Sequence, residues 1–132
     1  AIEIQTYSAE IRFDITIDAA STIALFQQIE KANPQAKRIV VICDNARYYR
    51  SKAVQEYLTT SRIHLEFLPA YSPNLNLIER FWKFFKRQVL YNRYYATFEK
   101  YKDACRQFFA SLDAYVPQLR TLLTENFEII GN

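Results

Sequence analysis

Arg38-Ile39-Val40-Val41-Ile42-Cys43-Asp44-Asn45, followed further along by Leu68-Pro69-Ala70-Tyr71-Ser72-Pro73-Asn74-Leu75-Asn76-Leu77-Ile78-Glu79-Arg80-Phe81-Trp82, decides the reading of this chain. After Arg38 the first run is apolar and β-branched, which predicts a central strand covered on both faces, with Asp44 just past its end. The second run is a rigid proline-containing loop that enters a helix carrying Glu79. A carboxylate at a strand tip and another on a helix are each held by a rigid element. Divalent metal needs this, because the oxygens must stay at bonding distance. The pattern points to metal-dependent chemistry on nucleic acid.

Working outward, Ser51 to Leu58 predicts a short helix and Ile63 to Leu68 a second strand. Strand, helix and strand in this length imply a parallel pair with a right-handed crossover. Asp44 then lies at the carboxyl edge, where open α/β sheets place their ligands. Upstream, Ile2 and Ile4, then Ile11, Phe13, Ile15 and Ile17, alternate with polar residues and predict a hairpin turning near Ser8 to Glu10. From Ser21, read as an N-cap, Ile23, Leu25, Phe26, Ile29 and Ala32 follow helical spacing until Asn33-Pro34.

Downstream, Asn74 or Asn76 can cap a helix running to about Tyr91. Its apolar line is Ile78, Phe81 or Trp82, Phe85 and Val89, with Glu79, Lys83, Lys86 and Arg87 on the opposite side. Thr97 to about Leu112 predicts a further helix with Phe98, Tyr101, Ala104, Cys105, Phe108 and Phe109. A shorter one follows Pro117 with Leu119, Leu122 and Leu123 on its apolar side.

Length and composition exclude several alternatives. A chain of 132 residues suits one domain with a real core. The single glycine, Gly131, excludes glycine-cradled phosphate loops of the Walker or Rossmann kind. The net charge of +3 is mild, but Arg80, Lys83, Lys86, Arg87 and Arg93 crowd into one stretch beside aromatics, which favours an acidic partner. Cys43 sits in an apolar run as a small buried hydrophobe, and with only one other cysteine, Cys105, a reducing cytoplasm fits. No signal segment or membrane-spanning run is apparent, so the chain is expected to be soluble, with no membrane partner.

Plainer readings stand beside these. Asp44-Asn45 alone is also a turn after a strand, and Glu79 with Lys83 is also an exposed i, i+4 pair. His64 reads as a surface or packed residue, and two cysteines and one histidine far apart do not make a zinc site. Phe81, Trp82, Phe84 and Phe85 read as core. Tyr91, Tyr94 and Tyr95, interleaved with Asn92 and Arg93, could equally stack on bases or fill a partner surface.

The phrases Asp44-Asn45-Ala46-Arg47-Tyr48-Tyr49 and Tyr71-Ser72-Pro73-Asn74-Leu75-Asn76-Leu77-Ile78-Glu79-Arg80-Phe81-Trp82, with 34 residues between the two acids, resemble those of the mariner-like DDE transposases and their bacterial insertion-sequence relatives. Family members commonly carry His where Tyr49 stands, Pro where Ala70 and Leu77 stand, and Asp where Asn74 stands. The resemblance implies an α/β fold of the RNase H-like, retroviral integrase type, a mixed sheet with flanking helices. It also implies a single catalytic domain over residues 1–132.

The implied reaction is metal-dependent cleavage of DNA at transposon ends, then strand transfer into target DNA. Mg2+ or Mn2+ would be held by Asp44 and Glu79 as the catalytic acids. Asn45, Arg47, Arg80, Lys83, Lys86 and Arg87 would contact DNA, largely through its phosphates. A homodimer or higher assembly acting on DNA in the bacterial cytoplasm is the implied setting.

The family has three catalytic acids, the first on an opening strand ahead of the hairpin. This chain is expected to start after that strand, as a domain truncated on its N-terminal side. The alternative is that Glu3, Glu10, Asp14 or Asp18 substitutes. A further alternative is a non-catalytic DNA-binding or assembly remnant lacking the first acid. An open sheet edge would favour a strand-exchanged dimer.

Overall fold

The first helix, α1 (Ala19–Ala32), begins with a reciprocal cap. The Asp18 carboxylate accepts the Ser21 backbone N–H at 2.9 Å, and Ser21 Oγ accepts the Asp18 N–H at 2.8 Å. Ser21 is therefore the third helical residue, not the cap that its position ahead of the apolar spacing predicts. Asp18 caps as well as serine does, and Ala19 and Ala20 are strong helix formers, so the helix starts earlier. α1 buries Thr22, Phe26 and Ile29 and stops at Asn33, since Pro34 biases the preceding residue away from helical angles.

The structure, a computed structural model, describes residues 1–69 and 77–123. They fall into two compact units, residues 10–69 in one and residues 1–9 with 77–123 in the other. The predicted caps Asn74 and Asn76, and the loop around Pro73, lie outside the described residues.

In the first unit, β1 (Ile39–Cys43) and β2 (Ile63–Phe67) pair in parallel, Ile39 opposite Ile63 and Cys43 opposite Phe67. Between them α2 (Lys52–Leu58) is capped by Ser51, whose Oγ accepts the Val54 N–H. Phe26, Ile29, Val54 and Ile63 form the core, with Ile39, Val41 and Leu65 packed on it. The expectation that β1 is covered on both faces is corrected. Val40 and Ile42 are 52% and 57% exposed, on the same face as His64 and Glu66. A continuous apolar run makes two-sided burial possible, but only a second layer of elements produces it.

Arg62 locks the end of α1 to the start of β2. Its guanidinium donates to the carbonyls of Glu30 and Asn33 at 2.6 and 2.7 Å, and also to that of Ala36. Those carbonyls belong to the last turn of the helix and the turn after it, where the backbone has acceptors to spare and the helix dipole favours a cation.

The predicted opening hairpin is also corrected. A single antiparallel bridge joins Ile2 to Ala9 through a turn in which Tyr7 has a positive φ of 59°. No strand forms from Ile11 to Ile17 among the described residues, and Ile15 is fully exposed. Alternation provides two faces, but a strand needs a pairing edge and a packed face to be stable. Instead, Ile2, Tyr7 and Ala9 pack on the core of the second unit.

That core lies among α3 (Leu77–Val89), α4 (Phe98–Ala110, capped by Thr97) and α5 (Val116–Leu122). Phe81, Phe84, Phe85, Val89, Cys105, Phe108, Leu119 and Leu123 are buried there, the rings meeting edge-on or tilted. One predicted core residue, Trp82, is corrected, and one apolar position of α4, Phe98, lies outside the core. Trp82 is 43% exposed, touching Phe81 and Phe85 with its ring from the flank, and Phe98 is exposed. Burial on α3 centres on Phe81, Phe85 and Phe84, which places Trp82 at the margin of the apolar stripe. Tyr95 packs on Tyr101 and donates to the Val89 carbonyl, whereas Tyr91 and Tyr94 stay exposed.

Candidate active site

Asp44 follows β1 directly, at the carboxyl end of the parallel pair, as its sequence position predicts. One carboxylate oxygen, Oδ1, accepts the Ala46 backbone N–H at 3.0 Å, which fixes the side chain over its own turn. The other oxygen has no protein partner among the described residues. The residue is exposed, so an external cation can reach it.

The turn that carries Asp44 is tied down from both strands. Leu68 N–H donates to the Cys43 carbonyl at 2.9 Å, extending the ladder one residue. Asn45 Nδ2 donates to the Leu68 carbonyl at 3.0 Å, and Arg50 Nη2 donates to Asn45 Oδ1 at 3.1 Å. Arg50 comes from the 3-10 turn Arg47–Arg50, and its guanidinium sits 4.1 Å from the centre of the Phe67 ring. Asn45 thus braces the two strand ends. Arg50 and Phe67 were not singled out by sequence; the only signal was a cation shortly after the Asp44 phrase.

Behind the turn, burial pushes the Cys43 thiol up to about 11, with the neighbouring Asp44 charge adding to the rise, so the thiol stays protonated at neutral pH. Tyr49, at the position where His is common in the resembling phrase, lies between Phe26, Tyr48 and Phe67. Burial raises its phenol above the ordinary range. It is a packing residue here.

Glu79 belongs to the other unit, exposed in the first turn of α3. Among the described residues it makes no ion pair, not even with Lys83 one turn on, so the solvated-pair reading of this carboxylate is not realised. Lys83, Lys86 and Arg87 are exposed along the same helix, Arg80 is half-buried, and Asn45 and Arg47 are exposed beside Asp44. The structure brings Asn45 and Arg47 together with Asp44, and the four cations of α3 together with Glu79. Both acids are hard oxygen donors, the ligand type that magnesium and manganese take.

The four acids weighed as substitutes for a first catalytic one are all occupied locally. Glu3 accepts from Thr6 and Ser8, Glu10 from Gln28, Asp14 from Arg12 Nε and Nη2, and Asp18 is the α1 cap. Among the described residues no three His, Cys, Asp or Glu side chains gather as a metal cluster. His64 is exposed on the outer face of β2. No helix of the described residues is long and apolar enough to cross a membrane.

An α/β chain with one accessible carboxylate at a strand tip and another opening a cationic helix has the makings of a nuclease-class domain. The chain belongs to the DDE superfamily endonuclease family, whose model matches residues 1–102. Membership supports a transposase-type nuclease, a class that acts on DNA and generally uses divalent metal. Comparison with curated proteins found no match. Comparison with solved structures found none either.

Proposed function

We propose that this chain is the catalytic domain of a mariner-like or insertion-sequence transposase with an RNase H-like fold, cutting DNA at transposon ends and joining them to a target. The observation that carries this reading is Asp44 itself. One of its oxygens is fixed by the Ala46 N–H and the other has no partner among the described residues, at the carboxyl end of a parallel pair, inside a family match that also spans Glu79.

Asp44 and Glu79 would hold magnesium or manganese, which supplies an activated attacking oxygen and charge stabilisation on the leaving oxygen. Asn45 and Arg50 keep the Asp44 turn in place, so that the carboxylate is presented without reorganisation. Arg47, Arg80, Lys83, Lys86 and Arg87 would hold the phosphate backbone, with Asn45 contributing its remaining amide N–H. The working form would be a homodimer or larger assembly on DNA in the bacterial cytoplasm.

The test is manganese- or magnesium-dependent nicking of DNA by the full chain, in either metal and in chelator. Asp44→Asn and Glu79→Gln should each abolish cutting, and cutting that survives in both variants sinks the reading. The second reading, a DNA-binding or assembly module without catalysis, draws on the local occupation of Glu3, Glu10, Asp14 and Asp18. It expects salt-sensitive DNA binding with no metal-dependent cleavage under any of these conditions.

A further inference from the structure

α3 carries its cations on two different faces. At 100° per residue, Lys86 and Lys83 flank Glu79, whereas Arg80, Lys83 and Arg87 centre about a quarter-turn away. That second face borders a cavity of ≈ 580 Å³ between α3 and α5. Phe84, Pro117 and Leu122 supply its apolar wall, and Gln118 and Thr121 add an amide and a hydroxyl opposite the cations. Among the described residues, no acidic side chain lines it. The α5 side lies beyond residues 1–102, so the cavity joins a helix inside the family match to an element outside it.

We propose that this groove binds single-stranded DNA, the phosphates against Arg80, Lys83 and Arg87 and one base against Phe84, Pro117 and Leu122. The inference rests on the reading of the chain as a DNA enzyme and gives Arg80, Lys83 and Arg87, already read as phosphate contacts, a strand form and a base-contacting wall. Its size is that of a small-ligand pocket, roughly 300 to 1,000 Å³, which suits a nucleotide or two. A duplex presents phosphates on a convex surface and keeps its bases paired inside, so it cannot reach the apolar wall. A single strand offers both charge and an unstacked base face, which a cationic groove with an apolar platform is built to take. Continuity with the cationic side of α3 favours nucleic acid over an acidic peptide.

The experiment measures fluorescence anisotropy of labelled oligothymidylate and of a duplex of equal length, in chelator so that metal plays no part. Gln118→Glu and Thr121→Glu, both at exposed helix positions, bring a carboxylate against the cations. Each should weaken single-strand binding roughly tenfold and duplex binding less, roughly threefold, because a duplex meets the same cations only from outside while the single strand enters the groove. Arg87→Ala should lower the single-strand salt slope by about 0.7, one phosphate contact. In the unaltered protein, an oligonucleotide carrying 5-iodouracil should photo-crosslink to the peptide containing residues 117–122, a readout independent of variant folding. Equal losses for both DNA forms, no loss for either, a crosslink outside α3 and α5, or equal competition by oligoglutamate would each overturn the proposal. Failure of the groove alone leaves duplex binding and metal-dependent cutting intact. Failure of the wider reading removes the metal-dependent cutting, whatever the groove does.

Discussion

The Arg50 guanidinium lies 4.1 Å from the centre of the Phe67 ring and at the same time donates to Asn45. One side chain therefore clamps the 3-10 turn, the end of β2 and the turn that presents Asp44. The planar guanidinium does both jobs because it stacks through its face and donates through its edge; a lysine ammonium cannot do both at once.

Arg50→Lys and Arg50→Ala should accordingly lower activity more than stability. The stability loss should be about 1 kcal/mol in urea denaturation, the scale of an exposed cation–π contact with one hydrogen bond. Cutting should fall because the Asp44 turn loosens, with the metal concentration needed for half-maximal cutting rising. Unchanged metal dependence in both variants would show that Arg50 does not position the carboxylate.

The buried thiol sets a pH limit on the fold. Cys43 is raised from 9.0 to about 11, so its stabilising contribution is complete below pH 9 and is lost as pH climbs through 11. Tyr49 is raised as well and extends the loss to still higher pH. Thermal melts between pH 8 and 11 should show a falling midpoint, and Cys43→Ala should flatten the first part of that fall. At neutral pH the folded protein should alkylate at Cys43 only after unfolding.

The upstream acids separate structural from catalytic roles. Asp18→Ala removes the α1 cap and should cost about 1 kcal/mol, while Asp14→Asn removes the bidentate partner of Arg12. Neither should change metal-dependent cutting per folded molecule. Loss of cutting in a variant that remains folded by circular dichroism would identify that residue as the third acid instead.

Several elements were legible in the residues. The helix in 19–32 was visible from the spacing of Ile23, Phe26 and Ile29, α2 from Ser51, α4 from Thr97, and α5 from Pro117 with its leucines. The parallel pairing of β1 and β2 followed from the strand, helix, strand order. The opening segment misled, because Ile11 to Ile17 has the period of a strand and no partner to pair with among the described residues. Trp82 misled because a run of four aromatics cannot all face one core, and the sequence does not say which one is left out.

The order of amino acids by itself determined the local elements, the place of Asp44 after an apolar strand and that of Glu79 on a cationic helix, since each depends on neighbours a few residues apart. Only the tertiary structure decided that Arg50 reaches across to Phe67, that Arg62 ties the end of α1 to β2, and that α5 closes a cationic groove with α3. These contacts join residues far apart in the chain or in separate elements. They are set by how whole elements pack, which periodicity and capping do not encode.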